Sequence, residues 1–169
     1  MLDMRQPTPA LARGLAFAAP ALTAYLVLAP IACGRLDIVF GVRDAIPGWL
    51  QPPGALLVLA GMTVSLWTLF LFAVVGDGTP NPIAPPRNLV RNGPFRYSRN
   101  PMMMGGWTAG FGLGLLLGSP CYLALCGVVV LGGAGYVLAF EEPSLLRRFG
   151  SAYSDYCLAT PRWFGCPHA

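Results

Sequence analysis

The sequence has no lysine, one histidine and few charged residues of either sign. Without lysine, neither a Schiff-base lysine nor a P-loop lysine can carry the chemistry. The one histidine is His168, which almost excludes histidine-based catalysis and a multi-histidine metal centre. Charged residues make up 11% of the 169 residues, compared with about 25% in an ordinary soluble domain. Because 55% of the residues are hydrophobic, we expect the chain to lie in a bilayer.

Long uncharged stretches predict membrane-spanning helices. Residues 14–33 and the apolar residues 54–75 each have about the 20 residues that cross a hydrocarbon core of ~30 Å. Residues 100–140 are also uncharged but about twice too long for one crossing, so they must fold back at Gly118-Ser119-Pro120. This turn predicts a tight helical hairpin with arms at residues 102–117 and 121–140.

The expected fold is therefore all-α, a polytopic membrane protein with about four transmembrane helices and a cytoplasmic C-terminal helical segment. The length fits a single domain, residues 1–169. A cleaved signal peptide is the alternative for the first span, because Arg5 and Arg13 precede an apolar run that ends in small residues. That run is long for a signal peptide, and Pro30 stands where a lipoprotein cleavage site has leucine, so we favour a span.

The arginines predict the orientation of the chain. With four crossings and both termini in the cytoplasm, only Arg35 and Arg43 of the 11 basic residues lie outside, as the positive-inside rule requires. We expect the membrane to be the bacterial inner membrane. The two long polar segments, residues 76–101 and 141–165, then lie on the same cytoplasmic side and can form one site.

Glycines recur every four residues on the first hairpin arm, at Gly106, Gly110, Gly114 and Gly118. This spacing predicts a thin helix face that a neighbouring helix approaches closely. Room for a ligand beside the hairpin is the alternative.

The five cysteines form no CxxC pair and have no histidine partner. They are therefore expected to be buried apolar thiols rather than metal ligands or disulfides. We expect no metal and no nucleic-acid partner.

The two polar segments carry the residues that could do chemistry. Residues 76–101 are too rich in proline and glycine to be helical over any length. Read as a linker, this segment would only place arginines near lipid phosphates. The second segment begins with Glu141 and Glu142 at the end of a membrane helix, where carboxylates need water or a partner. Arg147 and Arg148 could pair with them, and so could a cationic ligand.

Two runs in these segments resemble the superfamily of isoprenylcysteine carboxyl methyltransferases and phospholipid methyltransferases, in its bacterial integral-membrane branch. The first is LVRNGPFRYSRNP at residues 89–101, directly before the hairpin, and the second is EEPSLLRRFGSAYSDY at residues 141–156, directly after it. The resemblance covers about residues 76–165, and its two halves are more specific together than either is alone.

The resemblance implies S-adenosylmethionine as methyl donor, bound on the cytoplasmic side between the two runs. It also implies a set of cofactor contacts by position: Leu89, Val90, Gly93, Pro94, Arg99, Asn100, Pro101, Glu141 and Glu142. Many members have histidine where this chain has Asn100, and an aromatic residue where it has Met103. Asparagine forms hydrogen bonds but does not titrate near neutral pH, which argues against a base at this position.

The expected reaction is methyl transfer to a lipophilic acceptor, similar to isoprenylcysteine carboxyl O-methylation. The catalytic candidates are Arg147, to hold an acceptor carboxylate, and Glu142, which with Glu141 is nearest to act as base for an amine or thiol. The alternatives are a phospholipid amine N-methyltransferase and a thiol S-methyltransferase. The alternative outside the enzymes is a non-catalytic binding or scaffold protein with the same fold.

Overall fold

The computed structural model describes residue 20 and residues 23–43, 45–76 and 86–166. Helices and turns account for all the regular structure in these ranges, which contain no strand, so the expected all-α class is confirmed there. Residues 14–19, 21 and 22 of the first expected span lie outside the described residues, as do Arg5, Arg13 and His168.

Six α-helices follow one another in the described ranges. They are α1 (Ala29–Val39), α2 (Gln51–Val74), α3 (Pro101–Leu117), α4 (Pro120–Tyr136), α5 (Glu142–Phe149) and α6 (Ser151–Ala159). A π turn at Ala24–Leu28 precedes α1, and a second at Val137–Glu141 joins α4 to α5. Short 3-10 turns lie at Gly48–Leu50 and Gly93–Arg96.

Local sequence explains the short connection between α3 and α4. Gly118 adopts a left-handed conformation with φ of 63°, which ends α3 at little steric cost. The side chain of Ser119 then accepts a hydrogen bond from the backbone N–H of Tyr122 at 3.2 Å and caps α4. Pro120 occupies the first turn of α4, where a missing N–H costs nothing.

Two helices in the described ranges are long and apolar enough to cross a membrane, Gly48–Val74 and Pro120–Phe149. The first contains the expected span 54–75 except for its last residue, and it begins six residues before that span. The second contains the expected arm 121–140 but does not end there, because the π turn carries it on without a break to Phe149. Helix α3 matches the other arm to within one residue.

Helices α2 and α3 pack closely through glycines spaced seven residues apart. A Cβ at Gly61 would clash with the Gly105 carbonyl and lie 2.5 Å from the Ala109 nitrogen. A Cβ at Gly112 would lie 2.6 Å from the Val58 nitrogen. The two backbones approach so closely because no side chain separates them.

The expected four-residue glycine row is only partly correct. A Cβ at Gly114 would lie 2.5 Å from the Leu123 side chain, and one at Gly110 would clash with the Tyr25 hydroxyl. Gly106 and Gly118, in contrast, face open space. Helix α3 therefore does not meet α2 through the row of four. It uses Gly105 and Gly112, whose seven-residue spacing matches that of Gly61 and Gly54 on α2.

Asp37 ties the end of α1 to the turn between α3 and α4. Its side chain is 2% exposed, and its Oδ1 accepts the backbone N–H of Cys121 at 2.9 Å. The Ser119 hydroxyl donates to its Oδ2. A carboxylate at a helix N-terminus satisfies free N–H groups and matches the helix dipole.

All five cysteines are free thiols. Cys33 and Cys126 are buried as expected, Cys121 and Cys157 are half-buried, and Cys166 is exposed. In the described ranges, no group of histidine, cysteine, aspartate or glutamate side chains is arranged to hold a metal ion.

Candidate functional site

A cavity of about 550 Å³ lies between the loop before α3 and the region from the end of α4 to α6. Both expected polar segments contribute to its wall. The expected site residues that line it are Leu89, Val90, Arg99, Asn100, Pro101, Glu141 and Arg147. Aromatic and sulfur-containing side chains make part of the remaining wall apolar: Phe72, Met102, Met103, Tyr136, Phe140 and Phe149.

Three expected site residues do not line this cavity, Gly93, Pro94 and Glu142. Gly93 begins the 3-10 turn with φ of 60°, and a Cβ there would lie 3.0 Å from the Leu71 side chain. The turn thus packs on α2. Roles for Gly93 and Pro94 as cofactor contacts remain predictions.

Packing and hydrogen bonds hold the loop in place despite its lack of long helices. Phe95 is buried and meets Phe72 of α2 edge to face, with ring centroids 5.2 Å apart. The Tyr156 hydroxyl donates to the Phe95 carbonyl at 2.6 Å. Arg91 donates to the carbonyl of Ala152. The loop is therefore fixed between α2 and α6.

Glu142 joins two arginines from different parts of the chain. Its Oε1 lies 2.9 Å from Arg99 Nη1 and 2.8 Å from Arg162 Nε, and its Oε2 accepts from Arg162 Nη2 at 2.9 Å. The side chains of Arg99 and Glu142 are 11% and 16% exposed. Hydrogen bonding to Glu142 raises the pKa of Arg162, which stays charged. These partners differ from the arginines expected next to the glutamates, Arg147 and Arg148.

Arg99 has one buried donor without a partner. Its Nη1 contacts Glu142 and also lies 2.7 Å from Cys157 Sγ, but its Nε has no hydrogen-bond partner among the described residues. Buried donors are normally paired. Arg99 lines the cavity, so its guanidinium is a candidate donor to an anionic group of a ligand.

The residues that follow α6 fold back over the loop, and we call residues 160–165 the C-terminal strap. The Arg99 backbone N–H donates to the Pro161 carbonyl at 3.0 Å, and the Gly165 N–H donates to the Tyr97 carbonyl at 3.2 Å. The Asn100 side-chain amide donates to the Arg162 carbonyl at 3.0 Å. Asn100, expected as a cofactor contact, therefore also anchors the strap.

Tyr153 and Tyr156 line the cavity and are both buried, which the sequence reasoning did not anticipate. Burial raises the pKa of each above the ordinary tyrosine value. Both hydroxyls therefore stay protonated at neutral pH and serve as donors. Their three-residue spacing on a helix was the available signal, because it places both rings on one face.

Two helices long and apolar enough to cross a membrane are typical of a membrane protein, and the cavity, with its few convergent polar groups, is the candidate ligand site. A family model of phospholipid methyltransferases matches residues 51–152, more than half of the chain. The chain belongs to the phospholipid methyltransferase family, and the expected superfamily is thereby confirmed. No curated protein matches the chain significantly. The matched region contains the loop, Glu141, Glu142 and Arg147, and it ends before the strap.

Proposed function

We propose that the protein transfers a methyl group from S-adenosylmethionine to a lipophilic acceptor at the membrane. The cavity carries this proposal, since it collects Arg99 and Glu141 from separate segments in a chain of a methyltransferase family. Carboxyl O-methylation similar to that of isoprenylcysteine is our first candidate. Phospholipid amine N-methylation and thiol S-methylation are the alternatives, and a non-catalytic scaffold is the alternative of another class.

The side chains present fit S-adenosylmethionine, which when bound supplies a methyl group already activated by a positive sulfur. Arg99 offers its guanidinium to the cofactor's carboxylate, and Glu141 offers a carboxylate to the cofactor's positively charged groups. The proposed contacts are the expected ones that line the cavity: Leu89, Val90, Arg99, Asn100, Pro101 and Glu141. Gly93, Pro94 and Glu142, which were also expected, lie outside its wall and would act only by supporting these residues. The apolar wall excludes water and limits the angles at which an acceptor approaches.

Arg147 is our candidate for holding the acceptor, because it is exposed and lines the cavity. A carboxylate acceptor is already ionised at neutral pH and needs no base. An amine or thiol acceptor must lose a proton, and of the two candidate glutamates we favour Glu141. Glu141 lines the cavity, whereas both oxygens of Glu142 already accept hydrogen bonds from Arg162.

We further propose four crossings, with both termini and the cavity on the cytoplasmic side of a bacterial inner membrane. Two sets of contacts support this topology. Asp37 places the end of α1 against the turn between α3 and α4, as expected for two ends on the outer side. The strap lies against Tyr97 and Arg99, as expected for two segments on the inner side.

Cofactor binding by the purified protein in detergent tests this proposal. Calorimetric titration should give saturable binding of S-adenosylmethionine that Arg99→Gln weakens strongly and Arg35→Gln leaves unchanged. Arg35 is exposed and lies on α1, away from the residues that line the cavity. Absence of saturable binding by a folded wild-type protein at millimolar cofactor would sink the methyltransferase proposal and favour a scaffold.

The chemistry of the acceptor has its own test. Protein incubated with methyl-labelled cofactor and a total lipid extract should label a lipid, and base treatment then separates the candidates. A methyl ester releases its label in base, whereas an N-methyl or S-methyl group keeps it. Label that appears only in water-soluble acceptors would contradict the lipophilic acceptor.

A further inference from the structure

Arg162 lies outside the cavity wall and outside the part of the chain that the family model matches. It nevertheless makes the most complete ion pair described in the site. Its Nε and Nη2 contact separate oxygens of Glu142 at 2.8 and 2.9 Å. Such a two-point contact fixes the plane of a carboxylate, which a single contact does not.

The orientation of the Glu142 carboxylate fixes the position of the Arg99 guanidinium. Arg162 uses both oxygens of Glu142, and Arg99 Nη1 shares Oε1 at 2.9 Å. If the carboxylate turns, Oε1 leaves its position beside Arg99. The guanidinium of Arg99, whose buried Nε has no partner among the described residues, then loses its fixed direction.

The backbone of the strap at Arg162 is itself held in place by the loop before α3. The Arg162 carbonyl accepts hydrogen bonds from the Asn100 amide at 3.0 Å and from the Ser98 hydroxyl at 3.3 Å. Two side chains of the loop therefore hold Arg162 by its backbone carbonyl, while its guanidinium holds the side chain of Glu142 on α5. Its neighbour Trp163 packs on Trp107 of α3, with ring centroids 5.0 Å apart.

We propose that Arg162 is a positioning residue: through Glu142 it fixes Arg99, and it thereby sets the affinity of the cavity for the carboxylate end of the cofactor. This inference rests on the proposed methyl transfer. It assigns a functional part to the C-terminal strap. Arg162 touches neither cofactor nor acceptor in this arrangement, so its effect passes entirely through Glu142.

A double-mutant cycle on cofactor affinity tests the inference. Arg162→Gln should raise the dissociation constant of S-adenosylmethionine by up to about 100-fold, as a misplaced group does. Glu142→Ala should have a similar effect, and the double variant should bind no worse than Glu142→Ala alone. Arg162→Lys should recover part of the affinity, because lysine offers only one contact point. Effects that multiply in the double variant, or wild-type affinity in Arg162→Gln, would overturn the inference.

Steady-state kinetics add a readout that general destabilisation does not give. Arg162→Gln should raise KM for S-adenosylmethionine and leave KM for the acceptor unchanged. An equal rise in both KM values contradicts a role through Arg99. Arg35→Gln is the matched control, because it also removes one arginine but at an exposed position away from the cavity.

A readout without cofactor separates this inference from the proposed function. Cys157 Sγ lies 2.7 Å from Arg99 Nη1, so release of Arg99 should speed labelling of this thiol by a maleimide. Mass spectrometry of peptides resolves Cys157 from buried Cys33, whose slow labelling reports that each variant is folded. Faster labelling of Cys157 in Arg162→Gln and Glu142→Ala supports the positioning role even if the wild type binds no cofactor. Unchanged labelling in both variants contradicts it.

Discussion

The guanidinium of Arg99 lies 2.9 Å from the carboxylate of Glu142, which connects the loop before α3 to the helix after α4 at the edge of the cavity. Glu142→Gln should lower the free energy of unfolding by about 2 kcal/mol, because two arginines lose a charged partner. Urea unfolding in detergent measures this loss. Asp155→Asn, on the exposed face of α6, should change stability by less than about 0.5 kcal/mol.

The contact of α2 with α3 predicts opposite effects for two glycine substitutions. Gly61→Ala places a methyl group against the Gly105 carbonyl and the Ala109 nitrogen and should cost about 1–3 kcal/mol. Gly106→Ala, one residue further along α3 in open space, should be neutral or stabilise by about 0.5–1 kcal/mol. Thermal unfolding of both variants decides this, and equal losses would mean that the two helices do not pack as described.

Asp37 predicts a graded response at the opposite end of the molecule. Asp37→Ala removes the carboxylate oxygens that accept hydrogen bonds from Ser119 and Cys121, and it should lower the free energy of unfolding by about 1–2 kcal/mol. Asp37→Asn keeps an oxygen acceptor and should lose less. Hydrogen exchange at the Cys121 amide should rise in the alanine variant, and protection equal to wild type would contradict the cap.

Tyr156 gives the stability a dependence on high pH. Burial raises its pKa in the folded protein, so above the ordinary value of 10.0 the unfolded chain releases a proton that the folded chain keeps. Stability is therefore complete below pH 10 and falls as the pH rises further. Tyr156→Phe removes the hydrogen bond to the Phe95 carbonyl and should lower the free energy of unfolding by about 1 kcal/mol at neutral pH. The stability of this variant should also fall less steeply above pH 10 than that of the wild type.

Tyr97→Phe is the matched control for this pH dependence. The Tyr97 side chain is 52% exposed, so this substitution removes a tyrosine hydroxyl at the surface and leaves the buried hydrogen bond of Tyr156 in place. An identical alkaline slope in wild type and Tyr156→Phe would show that this buried hydroxyl is not the source of the decline.

Sequence patterns predicted the features that depend on neighbours along the chain. Uncharged length predicted α2, and Gly118-Ser119-Pro120 predicted the turn between α3 and α4, because both signals are local. The expected glycine row was only partly correct: Gly110 and Gly114 make close contacts, but α3 meets α2 through Gly105 and Gly112, which the spacing of glycines on α2 selects.

The site was predicted in the same uneven way. Seven of the ten expected cofactor contacts and catalytic residues line the cavity, from Leu89 to Arg147, because each belongs to one of two short runs. The partner of Glu142 could not be predicted from spacing. Arg162 lies on an irregular segment, and its approach to Glu142 depends on how the chain turns after α6.

The helix from Pro120 to Phe149 has a mechanical consequence. Its apolar length and its charged end, with Glu141 and Arg147, form one rod, whereas Arg99 belongs to a separate segment. Membrane helices adjust their tilt to the thickness of the hydrocarbon layer. Because Glu142 of this helix pairs with Arg99 of the loop at 2.9 Å, a change in the tilt of the helix would strain that ion pair.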